Sequence, residues 1–249
     1  KAYIDAAKNA KLIIRGGVGI DNIDKTYAES KGIIVRNTPK ASSIAVAELT
    51  FALMLSAPNH IITYHNGMKN GEWLKNIKRT ELYGKTLGLL GIGNIATKVA
   101  ERAKAFGMNV VAYDKYVSSS AVATLVPTVE DAVKDADYIS IHMPLTDETR
   151  NMFNADLFAK MNRKPVIINA ARGAIVNADD MVKALDDGQV TCYCADVYPS
   201  DPPAPDYPLL KSDKVILTPH VGANSKENLL RIGDEIVATI KDLKDNGKI

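Results

Sequence analysis

Residues 86–96 read Thr-Leu-Gly-Leu-Leu-Gly-Ile-Gly-Asn-Ile-Ala, and this stretch decides the fold of the 249-residue chain. The apolar run that opens it predicts a buried β-strand, and residues 94–106 have the apolar spacing of a helix. Gly91 would make the tight turn out of the strand, Gly93 would let a ligand approach the backbone, and Ala96 would let helix and strand pack closely. A strand, a glycine turn and a helix in this order are typical of a site for the pyrophosphate of a dinucleotide.

The next predicted strand supports a dinucleotide site. It covers residues 109–113 and is followed by Asp114, about 20 residues after the glycines, where an acidic residue accepts hydrogen bonds from ribose hydroxyls. A carboxylate at this position repels a 2′-phosphate, and the adjacent Lys115 offsets that repulsion only in part. The sequence therefore predicts NAD, rather than NADP, as the cofactor.

Short apolar runs alternate with helical patterns along the whole chain. Runs that are β-branched and apolar on both faces are typical of parallel strands covered on both sides. The alternation predicts an α/β fold with a doubly wound parallel sheet. The predicted strands are residues 11–15, 33–36, 86–90, 109–113, 138–142, 166–169, 191–197 and 214–218, and the predicted helices are residues 42–56, 94–106, 129–134, 154–160, 178–187 and 225–244.

Composition narrows the range of partners and compartments. The 31 basic and 29 acidic residues give a formal charge of +2, which favours neither nucleic acid nor a membrane surface as a partner. The longest apolar stretch, residues 44–57, is too short to cross a bilayer. Cys192 and Cys194 lie two apart on a predicted strand, where a disulfide between them is sterically unfavourable, and no second pair completes a metal site. We therefore expect a cytoplasmic protein without a bound metal.

Three polar residues lie beyond the last three predicted strands: Arg172, Asp201 and His220. Loops at the carboxyl ends of parallel strands meet at one edge of the sheet. Arginine can hold a carboxylate in a bidentate pair, and histidine, with an ordinary pKa of about 6.5, can transfer a proton near neutral pH. A carboxylate behind the imidazole would orient it. These residue types suit the reduction of a 2-keto acid by a nicotinamide, although a structural histidine and a surface arginine would give the same pattern.

The chain resembles the D-isomer-specific 2-hydroxyacid dehydrogenase family in blocks that follow family order over nearly its whole length. Within the family it is most similar to members that oxidise 3-phospho-D-glycerate. The matching blocks are residues 18–24, 37–39, 47–48, 90–95, 142–146, 168–176, 195–197 and 218–223. This resemblance implies that Arg172, Asp201 and His220 form the catalytic set. The family pattern has glutamate where this chain has Asp201, whose carboxylate is about 1.5 Å shorter in reach.

The resemblance also implies two domains and their contacts. A Rossmann cofactor domain would span residues 39–219, and a smaller flavodoxin-like substrate domain would be built from residues 1–38 and 220–249, its first strands preceding Lys1 in relatives. Contacts to the cofactor are implied for Gly91, Gly93, Asn94, Ile95, Asp114, Met143, Ala170, Ala171, Arg172, Asp196, His220 and Gly222. Contacts to the substrate are implied for Arg15, Gly17, Val18, Gly19, Arg172 and His220, with Arg15 near a substrate phosphate.

The helix predicted at residues 42–56 and the arm that follows it through Trp73 form a dimer interface in the family, which implies a homodimer. Periodicity alone equally allows the apolar face of this helix to be internal core. His142 ends a predicted strand beside the cofactor crevice, and we expect it to line that crevice rather than to act in catalysis.

The activity that the resemblance implies is the NAD-dependent oxidation of 3-phospho-D-glycerate to 3-phosphohydroxypyruvate, which leads into serine biosynthesis. No regulatory domain is expected after Ile249. Two other hypotheses fit the same motifs. A glyoxylate or hydroxypyruvate reductase needs no phosphate pocket, and an NAD-sensing corepressor would retain the glycine turn and all three polar residues.

Overall fold

The computed structural model describes all residues, Lys1–Ile249, which divide into two compact units. The large unit is Val46–Gly222, and the small unit combines Lys1–Ala45 with Ala223–Ile249. The boundaries expected from the sequence lie before residues 39 and 220. The observed division lies further along the chain in both places, because a helix that starts at Ser43 runs into the large unit and the N–H of Gly222 is bonded there.

Nine strands and nine α-helices make up the two units. The strands are β1 (Leu12–Arg15), β2 (Ile34–Asn37), β3 (Thr86–Leu90), β4 (Asn109–Tyr113), β5 (Thr124–Leu125), β6 (Tyr138–Ile141), β7 (Val166–Asn169), β8 (Cys192–Ala195) and β9 (Val215–Leu217). The helices are α1 (Ala2–Ala6), α2 (Lys25–Ser30), α3 (Ser43–Ser56), α4 (Ile61–Lys69), α5 (Asn94–Ala105), α6 (Val129–Val133), α7 (Ala155–Phe158), α8 (Ala178–Asp186) and α9 (Lys226–Asp245).

The large unit is built on a seven-stranded sheet with the order β5-β4-β3-β6-β7-β8-β9, in which every neighbouring pair is parallel. The doubly wound parallel sheet predicted from the sequence is confirmed. β5 was not predicted, because two residues are too few to give an alternating or apolar pattern. α2 was also missed, since its six residues complete less than two helical turns.

Apolar residues cover both faces of this sheet. Ile167 and Ile168 on β7 are both fully buried, yet they belong to separate core clusters. Successive residues of a strand point to opposite faces, so the two clusters lie on opposite sides of the sheet. Complete burial of such a side chain stabilises the fold by about 1.5–3 kcal/mol. This two-sided core explains why the strands read as continuous apolar runs.

Gly88 lets a helix approach the central strand. A Cβ at this position of β3 would lie 2.2 Å from the carbonyl oxygen of Ala132 in α6. No side chain fits in that space, so α6 packs directly on the backbone of the strand. This contact could not be predicted from the sequence, because a glycine inside an apolar run has no distinctive pattern.

Side chains cap several helices of the large unit. Thr128, Asn154 and Asn177 each accept a hydrogen bond from the backbone N–H three residues further on, at 3.0, 3.1 and 3.1 Å. These caps satisfy N–H groups that have no partner inside the helix. α5 differs, because its N-cap residue is Gly93, which has no side chain to accept such a bond.

The small unit pairs β1 with β2 in parallel around a core of Ala28, Ile33 and Val35. α9 is joined to the segment after β2 by polar contacts. The N–H of Ala41 donates to Glu235 at 2.9 Å, and the guanidinium of Arg231 donates to the carbonyl oxygen of Ala41 at 3.1 Å. The two ends of the chain therefore form one unit.

The most apolar helices, α3 and α4, have different surroundings. No single helix is long and apolar enough to cross a membrane, and these two meet the requirement only as a pair bent by 65°. Phe51, Leu53 and Met54 of α3 are buried in the core of the large unit. In α4, Ile61 and Met68 are 53% and 56% exposed.

Candidate dinucleotide and catalytic site

Six strands of the large sheet end in one register row. The paired residues are Leu90 with Tyr113 and Ile141, then Ile141 with Asn169, Asn169 with Ala195, and Ala195 with Leu217. The residues that follow therefore leave the sheet side by side. They include most of the residues that the sequence predicts for the cofactor and for catalysis.

Gly91 is required by the protein itself. Its φ is +92°, a conformation that favours glycine, and a Cβ would lie 2.8 Å from the carbonyl oxygen of His142. The chain can therefore turn sharply out of β3 only with glycine here.

At Gly93, by contrast, no protein atom excludes a side chain. A Cβ there would meet nothing within 4 Å, and the residue precedes α5 without a side-chain cap. The amino end of a helix attracts anions through its N–H groups and dipole. Open space beside such an end fits a pyrophosphate, as the sequence predicts for Gly93, Asn94 and Ile95.

The carboxylate of Asp114 joins the glycine turn to the end of β4. One oxygen accepts from the N–H of Ile92 at 2.9 Å, and the other accepts from Tyr116 and Val117 at 2.8 and 3.2 Å. A carboxylate can accept about four hydrogen bonds, which leaves capacity for a ligand hydroxyl. The contact between Asp114 and ribose stays a prediction.

A pocket of about 520 Å³ opens beside this turn and brings together Gly91, Gly93, Asp114 and Met143. The other residues that line it are Tyr113, Lys115, Tyr116, His142, Pro144, Thr146, Asp147, Glu148, Thr149 and Met152. Two cavities of similar size lie elsewhere, but they contain none of the predicted site residues. The chemistry therefore favours the pocket at the glycine turn.

His142 lines this pocket, as expected. Its Nε2 lies 2.8 Å from the hydroxyl oxygen of Ser140. The residue is partly exposed, but its ring is enclosed, and burial lowers the pKa of His142 to about 4. The imidazole is therefore neutral near pH 7 and adds no charge to the pocket.

Asn169 shapes the loop after β7, which contains Ala170, Ala171 and Arg172. This buried side chain accepts from the N–H of Ala171 and donates to the carbonyl oxygen of Arg172, both at 3.0 Å. Arg172 donates in turn to the carbonyl oxygen of Ala171 at 2.6 Å. The arginine is thus held at the carboxyl edge of the sheet.

Asp196 connects the end of β8 to the loop after β9. It is 1% exposed, and its carboxylate accepts from the Thr218 hydroxyl at 2.6 Å and from the N–H groups of Val221 and Gly222, both at 2.8 Å. These bonds fix the backbone on both sides of His220. The contact of Asp196 with a nicotinamide carboxamide stays a prediction.

The structure brings Asp201 and His220 together. His220 has a φ of +54°, a strained value for histidine, and its Nδ1 hydrogen-bonds a carboxylate oxygen of Asp201. With the carboxylate as acceptor, Nδ1 carries the proton and Nε2 is left for another partner. The shorter aspartate therefore reaches the imidazole, although the family pattern has glutamate.

Tyr198 was not predicted from the sequence, although it connects the loops that follow β7, β8 and β9. Its hydroxyl donates to the carbonyl oxygen of Thr218 at 2.8 Å. A Cβ at Gly173 would lie 2.1 Å from the carbonyl carbon of Tyr198, so the loops after β7 and β8 are in direct contact. The only sequence signal was the glycine that directly follows Arg172.

The predicted substrate loop, residues 15–19, lies in the small unit at the end of β1. The N–H of Gly17 donates to the Thr38 hydroxyl at 2.7 Å, and the Asn37 side chain donates to the carbonyl oxygen of Val18 at 2.5 Å. The loop is thus held against the end of β2. Arg15, Gly17, Val18 and Gly19 are close in sequence and space, and their contact with substrate stays a prediction.

A doubly wound parallel sheet, a helix without a side-chain cap after a glycine turn, and an acidic residue directly after the next strand together define a dinucleotide-binding protein. Residues 51–222 match the NAD binding domain of the D-isomer specific 2-hydroxyacid dehydrogenase family. The match covers more than half of the chain, and the chain belongs to this family. The predicted cofactor, NAD, is confirmed.

Individual relatives agree with this assignment. The chain is 44% identical over 243 residues to a D-3-phosphoglycerate dehydrogenase of Methanocaldococcus jannaschii, covering 96% of this chain and 46% of the relative. It is 42% identical to a hydroxypyruvate reductase of Thermotoga maritima, covering 95% of this chain and 78% of the relative. The chain thus spans about half the length of the phosphoglycerate dehydrogenase it matches.

A solved structure is also similar. The crystal structure of an NAD-dependent formate dehydrogenase from Staphylococcus aureus in complex with NAD aligns with a TM-score of 0.88 and 31% identity. The alignment covers 100% of this chain and 76% of that one. The fold of both units is therefore present in a relative that binds NAD.

Gly93→Ala should weaken NADH binding without unfolding the protein. The new methyl group would fill the space beside α5 but would contact no protein atom, so we expect the dissociation constant to rise at least about tenfold. The free energy of unfolding should fall by no more than about 1 kcal/mol, the cost of alanine at a helix N-cap, which leaves the protein folded. Fluorescence titration with NADH and chemical denaturation measure the two quantities.

Gly233→Ala is the matched control for this test, because a Cβ there also meets nothing within 4 Å and the residue lies in α9. This change should leave NADH affinity unaltered. Equal affinities for all three proteins would mean that the pyrophosphate does not lie at Gly93.

Proposed function

We propose that this chain is the cofactor-binding and catalytic part of an enzyme that oxidises 3-phospho-D-glycerate to 3-phosphohydroxypyruvate with NAD, a reaction that leads into serine biosynthesis. The observation that carries the proposal is the hydrogen bond between His220 and Asp201 at the edge of the sheet that also holds the glycine turn. The 44% identity to a D-3-phosphoglycerate dehydrogenase supports this substrate.

NAD, when bound, supplies the acceptor for the hydride that leaves the substrate carbon. Gly93, Asn94 and Ile95 would hold its pyrophosphate, and Asp114 its ribose. The remaining contacts are assigned to Met143, Ala170, Ala171, Arg172, Asp196, His220 and Gly222. This assignment follows the family resemblance, and the location of these residues after the strand ends supports it.

His220 acts as the base in this scheme. Its Nε2 takes the proton of the substrate hydroxyl, while Asp201 accepts the hydrogen bond from Nδ1 and stabilises the imidazolium that forms. Arg172 binds the substrate carboxylate and polarises the oxygen on the reacting carbon. The same residues, in the reverse direction, return the proton to a keto acid.

Arg15 would bind the phosphate of the substrate. A guanidinium matches phosphate oxygens with two parallel hydrogen bonds, and Gly17, Val18 and Gly19 follow Arg15 in the same loop. The loop is held in shape by Asn37 and Thr38. Preorganisation of this kind lowers the entropic cost of binding.

Hydroxypyruvate reductase is the second candidate function. The chain covers 78% of the length of the Thermotoga maritima relative that has this name, against 46% for the phosphoglycerate dehydrogenase. Such an enzyme uses the same trio of side chains on an unphosphorylated substrate, so Arg15 would have no phosphate partner.

The substrate phosphate separates the two candidates. With NAD, kcat/KM for 3-phospho-D-glycerate should exceed that for D-glycerate about 10- to 100-fold, because the phosphate adds charge-assisted hydrogen bonds. Arg15→Met should remove most of this difference and leave turnover of D-glycerate unchanged. NADH absorbance measures both rates. Equal rates on the two substrates with the unaltered protein would favour the reductase.

Asp201 can be tested as the residue that positions His220. Asp201→Asn should lower kcat about 100-fold, because the amide cannot stabilise the imidazolium, whereas NADH affinity should not change. Asp201→Glu, which restores the residue of the family pattern, should retain most of the activity. Asp206→Asn, an exposed change in the same loop, serves as the control. Full activity of Asp201→Asn would exclude this role.

We also propose that the protein is a homodimer joined through an apolar surface formed by Ile61, Ile62, Met68 and Trp73. These residues are 53%, 45%, 56% and 75% exposed, three of them lie on α4 and the fourth follows it, and a contiguous exposed apolar patch marks a contact with another protein. The contact joins two copies of the chain through a self-complementary interface, the commonest arrangement in soluble oligomers.

Trp73→Ser should weaken the dimer, since a tryptophan anchor contributes about 2–4 kcal/mol to an interface. Analytical ultracentrifugation should give a dissociation constant raised at least about 30-fold. Tyr3→Ser removes a ring that is 93% exposed in the small unit and should leave the dimer intact. A wild-type protein that is monomeric at micromolar concentration would contradict the proposal.

A cytoplasmic location is part of the proposal. Cys192 and Cys194 are free thiols whose sulfur atoms lie 3.9 Å apart. Free thiols are typical of compartments in which a glutathione pool keeps cysteines reduced.

A further inference from the structure

An ion pair stands at the mouth of the pocket beside the glycine turn. The ammonium of Lys115, directly after Asp114, donates to both carboxylate oxygens of Glu148, at 2.9 and 2.7 Å. Both residues line the pocket that contains Gly91 and Gly93. The hydrogen bond to Glu148 raises the pKa of Lys115 above its ordinary value.

Lys115 is carried by a well-defined turn. The Asp114 carboxylate accepts from the N–H groups of Tyr116 and Val117, which fixes the backbone around Lys115. The lysine therefore leaves the chain one residue after the carboxylate that is assigned to the ribose.

Glu148 lies in another hydrogen-bonded turn, in the loop after β6. The N–H of Thr146 donates to the Thr149 hydroxyl at 2.8 Å, and that hydroxyl donates to the carbonyl oxygen of Pro144 at 2.7 Å. Thr149 is 8% exposed, so the turn is anchored in the protein. The two ends of the ion pair thus belong to two ordered turns, 33 residues apart in sequence.

The charges at the opening of this pocket affect whether the protein binds NAD or NADP. NADP differs from NAD by a phosphate on the adenosine ribose, and proteins that accept it provide a cation just after the position of Asp114. Lys115 is such a cation, yet both of its bonds go to Glu148. A 2′-phosphate would have to displace this carboxylate and would then lie near three negative side chains, Asp114, Asp147 and Glu148.

We propose that Glu148 is a specificity-determining residue that withholds Lys115 from the 2′-phosphate and thereby excludes NADP. The inference deepens the proposed function, on whose cofactor site it rests. It differs from the role of Asp114, because Glu148 lies on another strand connection and acts through the lysine as well as through its own charge.

The test compares the affinities of the full chain for NADPH and NADH by fluorescence titration. Glu148→Gln keeps the size of the side chain but removes its charge. We expect NADPH to bind about five- to tenfold more tightly to this variant, while NADH affinity stays within about twofold. The gain should shrink in about 0.5 M salt, where charges further apart than about 4 Å are screened.

Asp187→Asn is the matched control. The Lys183–Asp187 pair has the same kind of contact, at 2.8 Å, on the exposed surface of α8, and its disruption should change neither affinity. Lys115→Met provides the second arm of a double-mutant cycle. In the Lys115→Met background, Glu148→Gln should improve NADPH binding less than it does in the wild type, because the freed lysine is missing.

Three outcomes would overturn the proposal: unchanged NADPH affinity in Glu148→Gln, an equal gain for NADH and NADPH, or a gain that is the same with and without Lys115. A wild-type protein that binds no NADH would instead refute the cofactor site itself. The two failures are therefore distinguishable in one set of titrations.

Discussion

The parallel register of the large sheet is the constraint on which the site depends. Six strands end in one row, so the residues after them leave the sheet at the same height, although they are separated by up to 127 positions between Leu90 and Leu217. A shift of one residue in any pair would turn that strand's buried side chains to the other face. Each face packs against its own core cluster, so a shifted strand would disrupt close packing on both sides of the sheet. The packed register therefore sets the positions of Asp114, Asp196 and His220.

Two aspartates connect the loops after these strand ends by accepting hydrogen bonds from them. Asp114 and Asp196 each directly follow a strand, and each accepts three hydrogen bonds from neighbouring segments. Asp196 is buried, and a buried carboxylate is stable only when it is hydrogen-bonded in this way; removing the partners of such a charge costs about 3–5 kcal/mol. The partly buried Asp114 fixes the backbone beside Gly91 by its hydrogen bond to Ile92, whereas the backbone around His220 is held by interactions that the fold cannot easily lose. This explains how His220 keeps a φ of +54°.

Much of this arrangement could be predicted from the sequence, and the limits of prediction have physical causes. The sheet followed from apolar runs, and the Asp201–His220 pair from residue types at strand ends and from family resemblance. Tyr198 and Glu148 were not predicted, because their roles depend on partners 20 and 33 residues away. Such contacts form only when separate loops meet at the edge of the sheet, so no local sequence pattern predicts them.

The glycines of β3 and of the turn after it differ in what lies beside them: protein atoms at two positions and open space at the third. Gly88 faces a carbonyl oxygen of α6, and Gly91 faces one beyond β6, so the protein alone explains both. Gly93 faces open space at the start of α5. Gly93 is the N-cap residue of α5, where glycine is preferred over alanine, and no protein atom occupies the space that a side chain would fill. The predicted contact with a pyrophosphate would use that space, which is why Gly93, rather than Gly91, is the residue to substitute in a test of dinucleotide binding.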